Sequence, residues 1–394
     1  MAYMLHDIVG LVAAVVLAIP LFLLPAYVIA RTLDLFGFSA RPATERAAYA
    51  LLVAYATMPV LQSMGSRFFG LKAILAVTLL LSVYGLLRHR DLSLPSLSRS
   101  AGAMIAVGFL ALCALWIDAS WNGRLYPTLL VIDLVKHAAT VRSLVETGAT
   151  PPIDPFFLRD QAASYYYFFY TPAALVEMLG NGLVDSRSAV GGMVFWTGIA
   201  VVTLARVVLD RTGLLRRAAP VGLLIALMLA GGLQLLIVSP IVLSFGWPWP
   251  GQLGWIRDDL ASWPVSMIWV PHHLSGMIAS WIGFLALVEA QKAHAERSPA
   301  RQWTFVALAG VSFASACGLS TWLTIGAVVT LAVWAAVEVY HRRWSSLILF
   351  AAAGLIALVA AAPHMLDLVR NRSLGVFPIA FEVRMFVVSE LLIG

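Results

Sequence analysis

The chain has 394 residues, of which 61% are apolar and only 12% charged, with a formal net charge of +6. Soluble domains carry roughly a quarter charged residues, so this composition excludes an ordinary water-soluble domain. The long continuous apolar runs exclude a β-barrel, which would show short alternating segments.

A membrane-crossing helix needs about 20 mostly apolar residues. The first such run covers residues 8–30. No Lys or Arg precedes it, whereas a cleavable leader has a basic start, so it reads as a retained span. Further apolar runs predict spans at 48–64, 72–87, 101–118, 190–209, 219–243, 273–291, 303–319, 322–340 and 345–362, and another begins near Phe377. Cys113 and Cys317 both fall inside predicted spans and read as small buried apolar residues. The expected fold class is an all-α polytopic membrane protein with about 10–11 transmembrane helices. A long extracytoplasmic loop carries juxtamembrane amphipathic helices.

Basic residues in short loops give the orientation. Arg31, Arg41 and Arg46 share one loop, and Arg88, Arg90 and Arg99 another. Arg211, Arg216 and Arg217 follow, then Lys292, Arg297 and Arg301, then Arg342 and Arg343. Counting spans places all of these on one side, expected to be cytoplasmic. The N-terminus, the loop 119–189 and the loop 244–272 are then outside. The organisation is a four-span region over 1–118, an extracytoplasmic loop over 119–189, and a C-terminal membrane bundle over 190–394 that includes the second outer loop. The charge placement points to membrane topology, and no nucleic-acid module or phosphate-binding Gly-rich loop is present.

The loop 119–189 holds unusual polar content for so apolar a chain. Residues 133–147 predict a helix on the membrane surface. Asp133, Lys136, His137, Thr140 and Ser143 share one face, and Leu134, Ala138, Val141 and Val145 the other. Asp133 sits where a carboxylate caps free amides. Gly148 and then Pro151 and Pro152 stop the helix, and Arg142 with Glu146 forms an i,i+4 pair. In SYYYFFYTPAALVEMLGNG, four tyrosines fall within six positions, which suits an interfacial second helix.

This layout resembles the GT-C class of polytopic glycosyltransferases. The residues that carry the resemblance are Asp133 to Gly148, Pro151 and Pro152, Tyr165 to Pro172, Gly180 and Arg187. They cover about 60 residues. Four predicted spans precede the acidic loop, where members of the class often have one. The acidic residue of that class usually follows the preceding span closely, so Asp118 stands beside Asp133 as a candidate; Asp133 is favoured because the helix starts there.

The resemblance implies an inverting transfer of a sugar from a polyprenyl-phosphate donor to an acceptor hydroxyl on a glycan, lipid or protein. Such chemistry needs a base near the hydroxyl and stabilisation of the leaving phosphate. Asp133 is the expected base. Lys136, His137, Arg159, Arg257, His272 and His273 are expected phosphate contacts, and Tyr165 and Tyr167 a sugar platform. The partners are then the lipid-linked sugar, the acceptor and the bilayer of a bacterial-type plasma (inner) membrane, with no nucleic acid.

The second outer loop holds Trp247, Trp249, Trp255, Trp263 and Trp269, and also Asp258 and Asp259. The aspartates, with Asp133, are candidate ligands for a divalent cation. Adjacent His272 and His273 diverge on a helix and make a poor zinc pair. Ordinary roles stand beside all of these. Asp133 caps its helix, Lys136 reaches headgroups, Asp154 and Asp160 shape turns, and the aromatic cluster is an interfacial belt. Two other functions remain open: a transporter or flippase for a lipid-linked sugar, and a non-catalytic scaffold subunit.

Overall fold

A computed structural model describes residues 2–89, 99–122, 124–126, 133–156, 162, 166–213 and 263–372. The chain is a multi-pass all-α membrane protein. Among the described residues, eight helices are long and apolar enough to cross a bilayer. The expected span 219–243 and the one beginning near Phe377 lie outside the described residues.

The first span, Leu5–Thr32, is broken in the middle. Helix α1 (Ala2–Ala18) leads into a π-helical turn, Ile19–Leu23, and then α2 (Leu24–Thr32). Pro25 has no N–H, so the ladder cannot continue. The Leu24 N–H reaches back to Ile19 O, and Pro25 offers no N–H to the turn behind it. Side chains from two other helices donate to carbonyls of this turn. Gln62 Nε2 donates to Leu21 O at 2.7 Å, and Ser82 Oγ donates to Pro20 O at 2.5 Å.

Helix α3 (Ala43–Phe69) is longer than its predicted span of 48–64, because the polar ends with Thr44, Glu45 and Arg46 and with Ser66 and Arg67 are also helical; Pro59 and Gln62 lie inside it. Its membrane window is 78% buried, which makes it the centre of the bundle. Helix α4 (Leu71–Arg88) turns back at Gly70, whose φ of +80° favours glycine. A Cβ there would also crowd the Gly148 carbonyl, which accepts from the Leu71 N–H at 2.7 Å. Helix α5 (Arg99–Trp116) precedes a small antiparallel hairpin, β1 (Ala119–Trp121) with β2 (Arg124–Tyr126), which the sequence did not announce.

Within the long loop lie α6 (Leu134–Thr147) and α7 (Tyr170–Gly180), then α8 (Ser186–Arg211) leaves it. After α9 (Trp263–Trp269) come α10 (Pro271–Ala295), α11 (Pro299–Leu319), α12 (Thr321–Tyr340) and α13 (Trp344–Arg372). Helices α10, α11 and α13 pack closely, with α3 against α10 and α11. Helix α12 is only 11% buried in its window and shows an apolar surface of Trp322, Val328, Val329 and Val333, as a lipid-facing helix does.

Two surface expectations are overturned. The polar face of α6 does not point to water: His137, Thr140 and Ser143 are buried with Val141 and Leu144, while Val135 is exposed. Neighbouring polar groups explain this. Ser143 Oγ donates to Ile153 O at 2.5 Å, and Thr140 Oγ1 to Lys136 O at 2.8 Å. The aromatic run is likewise no interfacial belt. Tyr167, Phe168, Phe169 and Tyr170 are at most 1% exposed, and Phe168 packs where any side chain on Gly318 would overlap it. Both Cys113 and Cys317 are free thiols.

The short turns sort the chain ends. Gly70, Gly148 and Ser320 gather with Asp133 at one end of the bundle. Arg41, Arg211, Lys292 and Arg301 gather at the other, tied to one another through Tyr49 and Glu289.

Candidate functional site

Helix α6 is fixed before it can present anything. Leu134, Val141 and Leu144 bury one stripe, and Gly148 ends the helix in the left-handed conformation. Arg142 Nη1 donates to Glu177 on α7 at 3.2 Å, and Ser186 Oγ of α8 donates to the same carboxylate at 2.6 Å. Thr150 Oγ1 donates to Ser63 O on α3 at 2.6 Å. The second half of α6 and the turn after it are therefore tied to three neighbouring helices.

Asp133 occupies the N-cap position but makes no side-chain cap hydrogen bond. The capping role is overturned because the carboxylate has better donors nearby. Its Oδ2 accepts from the Trp269 indole Nε1–H at 2.9 Å, and its Oδ1 lies 3.3 Å from Lys136 Nζ. Trp269 comes from α9, 136 residues away in sequence.

His137 secures that tryptophan from below. Its Nε2 lies 2.9 Å from the Trp269 carbonyl, which can only accept, so Nε2 carries the proton. In the neutral ring Nδ1 is then the acceptor, and it takes the Tyr170 O–H at 2.6 Å. Burial pushes the His137 pKa down from 6.5 to about 4; the Trp269 carbonyl opposes this, Lys136 adds to it and Asp133 opposes it. The result is a chain of contacts: Tyr170 to His137, His137 to Trp269, and Trp269 to Asp133.

His272 and His273, at the head of α10, close the site from the other side. His272 is 0% exposed, 5.8 Å ring to ring from His137 and 5.4 Å from Tyr166. His273 is half-buried. Its Nδ1 lies 2.7 Å from Ser320 Oγ, which already accepts the Leu323 N–H at 3.2 Å. The Ser320 hydroxyl proton is then directed to Nδ1, which leaves the proton of a neutral His273 on Nε2. The expected divergence of the two adjacent histidines is not what the structure shows: their ring centroids lie 4.3 Å apart, because Tyr166 packs against both.

Tyr166 and Tyr167 face opposite ways. Tyr166 stacks on the histidines of α10, while Tyr167 turns to α13. The Tyr167 hydroxyl donates to Asp367 Oδ2 at 3.2 Å, and Arg67 holds both oxygens of Asp367 at 2.5 and 3.0 Å. Burial, with Asp367 beside it, raises the Tyr167 pKa above the usual tyrosine value. His364 packs on Tyr167 and Phe168, is 0% exposed, and neither ring nitrogen has a hydrogen-bond partner among the described residues.

The structure thus gathers Asp133, Lys136, His137, His272 and His273 at one end of the bundle and sets Tyr167 behind them. Arg159, Tyr165, Arg257, Asp258 and Asp259 lie outside the described residues. Among the described residues, no three His, Cys, Asp or Glu side chains converge as a metal ion would need. Sequence reading missed Trp269 as a donor, and missed Tyr170, Arg67, His364, Asp367 and Ser320. One signal was present: His364 and Asp367 stand three apart at the end of an apolar run, on one face of a helix. Asp118, the alternative carboxylate, is engaged elsewhere. Arg187 grips it with two contacts, at 2.8 and 3.1 Å, and also donates to the Trp116 carbonyl.

Comparison with family models, with curated proteins and with solved structures returned no match. The functional reading rests on the residues themselves.

Proposed function

We propose that the chain is a polytopic glycosyltransferase of the GT-C type. It moves a sugar from a polyprenyl-phosphate donor to an acceptor hydroxyl at the extracytoplasmic surface of a plasma (inner) membrane. The observation that carries this reading is the Asp133 carboxylate. It is half-buried at the end of a membrane bundle, steered by a neutral indole donor and set beside a lysine.

In the proposed reaction Asp133 accepts the proton of the acceptor hydroxyl. The acceptor oxygen forms a bond to the anomeric carbon as the bond from that carbon to the phosphate oxygen breaks. The electron pair leaves with the polyprenyl phosphate, and the anomeric configuration inverts. A carboxylate has room for this work, because its two oxygens offer about four acceptor sites and the Trp269 and Lys136 contacts use two. Lys136 and His273 are the proposed donors to the growing charge on the phosphate. His137 holds Trp269, and through it the orientation of Asp133. The donor lies in the plane of the membrane while the acceptor comes from water, which is why the base belongs at the end of the bundle.

Proteoliposomes supplied with undecaprenyl phosphate carrying labelled glucose, mannose or arabinose test the reading. Release of undecaprenyl phosphate is expected with at least one of them when a glycan, lipid or peptide acceptor is present. Asp133→Asn lowers that release by about 10²–10⁴-fold, the range for a general base, with the same yield of folded protein. Movement of intact donor between leaflets without cleavage would make the chain a transporter. No cleavage and no movement with any donor overturns both. The side is tested by Asp154→Cys. A membrane-impermeant maleimide is expected to label it on intact cells, and labelling only after lysis reverses the orientation.

A further inference from the structure

The end of the bundle away from Asp133 holds a second polar recess, lined by Arg41, Tyr49, Arg211, Leu285, Glu289 and Lys292, with Val288 and Asp210 at its edges. Arg41 lies at the entry to α3, Arg211 is the last residue of α8, and Lys292 stands in the last turn of α10. The ends of membrane-crossing helices sit at headgroup level. The recess is therefore at the height of lipid phosphates.

Its charges are prearranged. The Arg41 guanidinium lies 4.2 Å over the Tyr49 ring, and that of Arg211 lies 5.2 Å from the Phe36 ring centre. Arg211 is also within 3.4 Å of the Tyr49 hydroxyl through two nitrogens. Glu289 alone faces three cations, Arg211 at 2.8 Å, Lys292 at 3.0 Å and Arg301 at 3.1 Å. Glu289 alone cannot balance three positive charges, and Asp210 adds one further carboxylate to the lining. Glu45 takes up Arg41 at 2.6 Å and Glu296 takes up Arg301 at 2.7 Å, but Lys292 has no second carboxylate within ion-pair distance among the described residues. Leu285 and Val288, both half-buried, give the wall an apolar part below the charged rim.

We infer that this recess binds a phosphate oxyanion, presented by the headgroup of an anionic phospholipid. Phosphate takes up the guanidinium and ammonium donors at the rim, as basic pockets between membrane helices do. The glycerol and first methylenes lie against Leu285 and Val288. The site is independent of the transfer chemistry proposed at the opposite end.

The test is the thermal midpoint of the full chain in neutral detergent, titrated with phosphatidylglycerol, with phosphatidylcholine of the same acyl chains, or with inorganic phosphate at constant ionic strength. Phosphatidylglycerol is expected to raise the midpoint at concentrations where phosphatidylcholine does not. Arg41→Gln with Lys292→Gln moves the half-maximal concentration up by about tenfold or more. Lys292→Gln alone, at a half-exposed side chain, gives a smaller displacement in the same direction and serves if the double variant does not fold. Arg342→Gln, a cation near the same end but outside the recess, leaves the titration unchanged. Equal protection by inorganic phosphate, lost in the double variant, keeps the oxyanion site and makes the free ion its ligand. Equal protection by phosphatidylcholine overturns the inference, as does an unchanged titration in the Arg41 and Lys292 variants or an equal loss in Arg342→Gln.

Discussion

The two ends of this bundle handle ionisable side chains by different physical means. Around Glu289 the groups are held by opposite charge: one buried carboxylate binds three cations, and guanidinium groups lie over aromatic rings. Around Asp133 one ion pair, with Lys136, stands among neutral donors and rings. An indole N–H orients the carboxylate, a tyrosine hydroxyl and a backbone carbonyl fix one histidine, and another histidine lies among aromatic rings. Paired charges suit anchorage and leave cation donors at the rim for an anion. The indole donor leaves a carboxylate with acceptor capacity to spare, which suits exchange with a hydroxyl.

The sharpest way to break this contrast is at Glu289. Replacing it with glutamine leaves three cations facing a neutral amide. The expected loss is about 3 kcal/mol, at the low end for a broken buried pair because Lys292 and Arg301 are about half exposed. Thermal or denaturant unfolding in detergent measures it. A loss below the error of that assay means that the charge network is ornamental.

Acid probes the other end. The folded-state pKa of His137 lies below its ordinary value, so the unfolded chain takes up the proton first. Stability is complete above pH 6.5 and falls as pH drops from 6.5 toward about 4. The contribution is on the order of 2–3 kcal/mol, and His137→Gln is expected to flatten that part of the midpoint-against-pH curve. An unchanged slope assigns the acid sensitivity to other groups.

Trp269→Phe keeps the ring and removes the donor to Asp133. A hydrogen bond to a charged acceptor that is partly exposed contributes about 1–2 kcal/mol. A double-mutant cycle with Asp133→Asn is expected to show most of it as coupling. Additive effects would mean that the indole and the carboxylate act separately.

The smallest effect has the opposite sign. His364→Phe removes two buried nitrogens that lack partners among the described residues while conserving ring shape, so the midpoint is expected to rise by about 1 kcal/mol equivalent. A fall would show that the imidazole serves the fold in a way that its ring contacts do not reveal.

Most of the bundle was legible because burial in lipid demands long apolar runs. The predicted span at 303–319 and the observed helix Pro299–Leu319 differ by four residues at one end. The span at 48–64 was read short because the helix ends carry Glu45, Arg46 and Arg67, which an apolar run does not include. Inside the fold, Gln62 has a backbone carbonyl to serve, and nothing local in the sequence says so. Aromatic residues 166–170 were misplaced for a related reason: a tyrosine cluster has the same composition at a lipid headgroup and in a core. Asp133, Lys136 and His137 could be picked out together because they share one helical turn. Their partner Trp269 could not, since a contact across 136 residues leaves no periodic trace. Asp367 and Arg67, 300 residues apart, were hidden in the same way.

The break in the first span bears on how the molecule is made. Pro25 withholds one backbone donor from the turn behind it, and Gln62 and Ser82 bring side-chain donors to that turn from helices synthesised afterwards. Entering the bilayer by itself, that segment would lack both side-chain donors, and a carbonyl left bare in hydrocarbon costs several kcal/mol. Its bent form therefore matures only once the next two helices have emerged from the ribosome. A chain halted after residue 32 would hold a straighter, less settled rod that quality-control proteases can recognise.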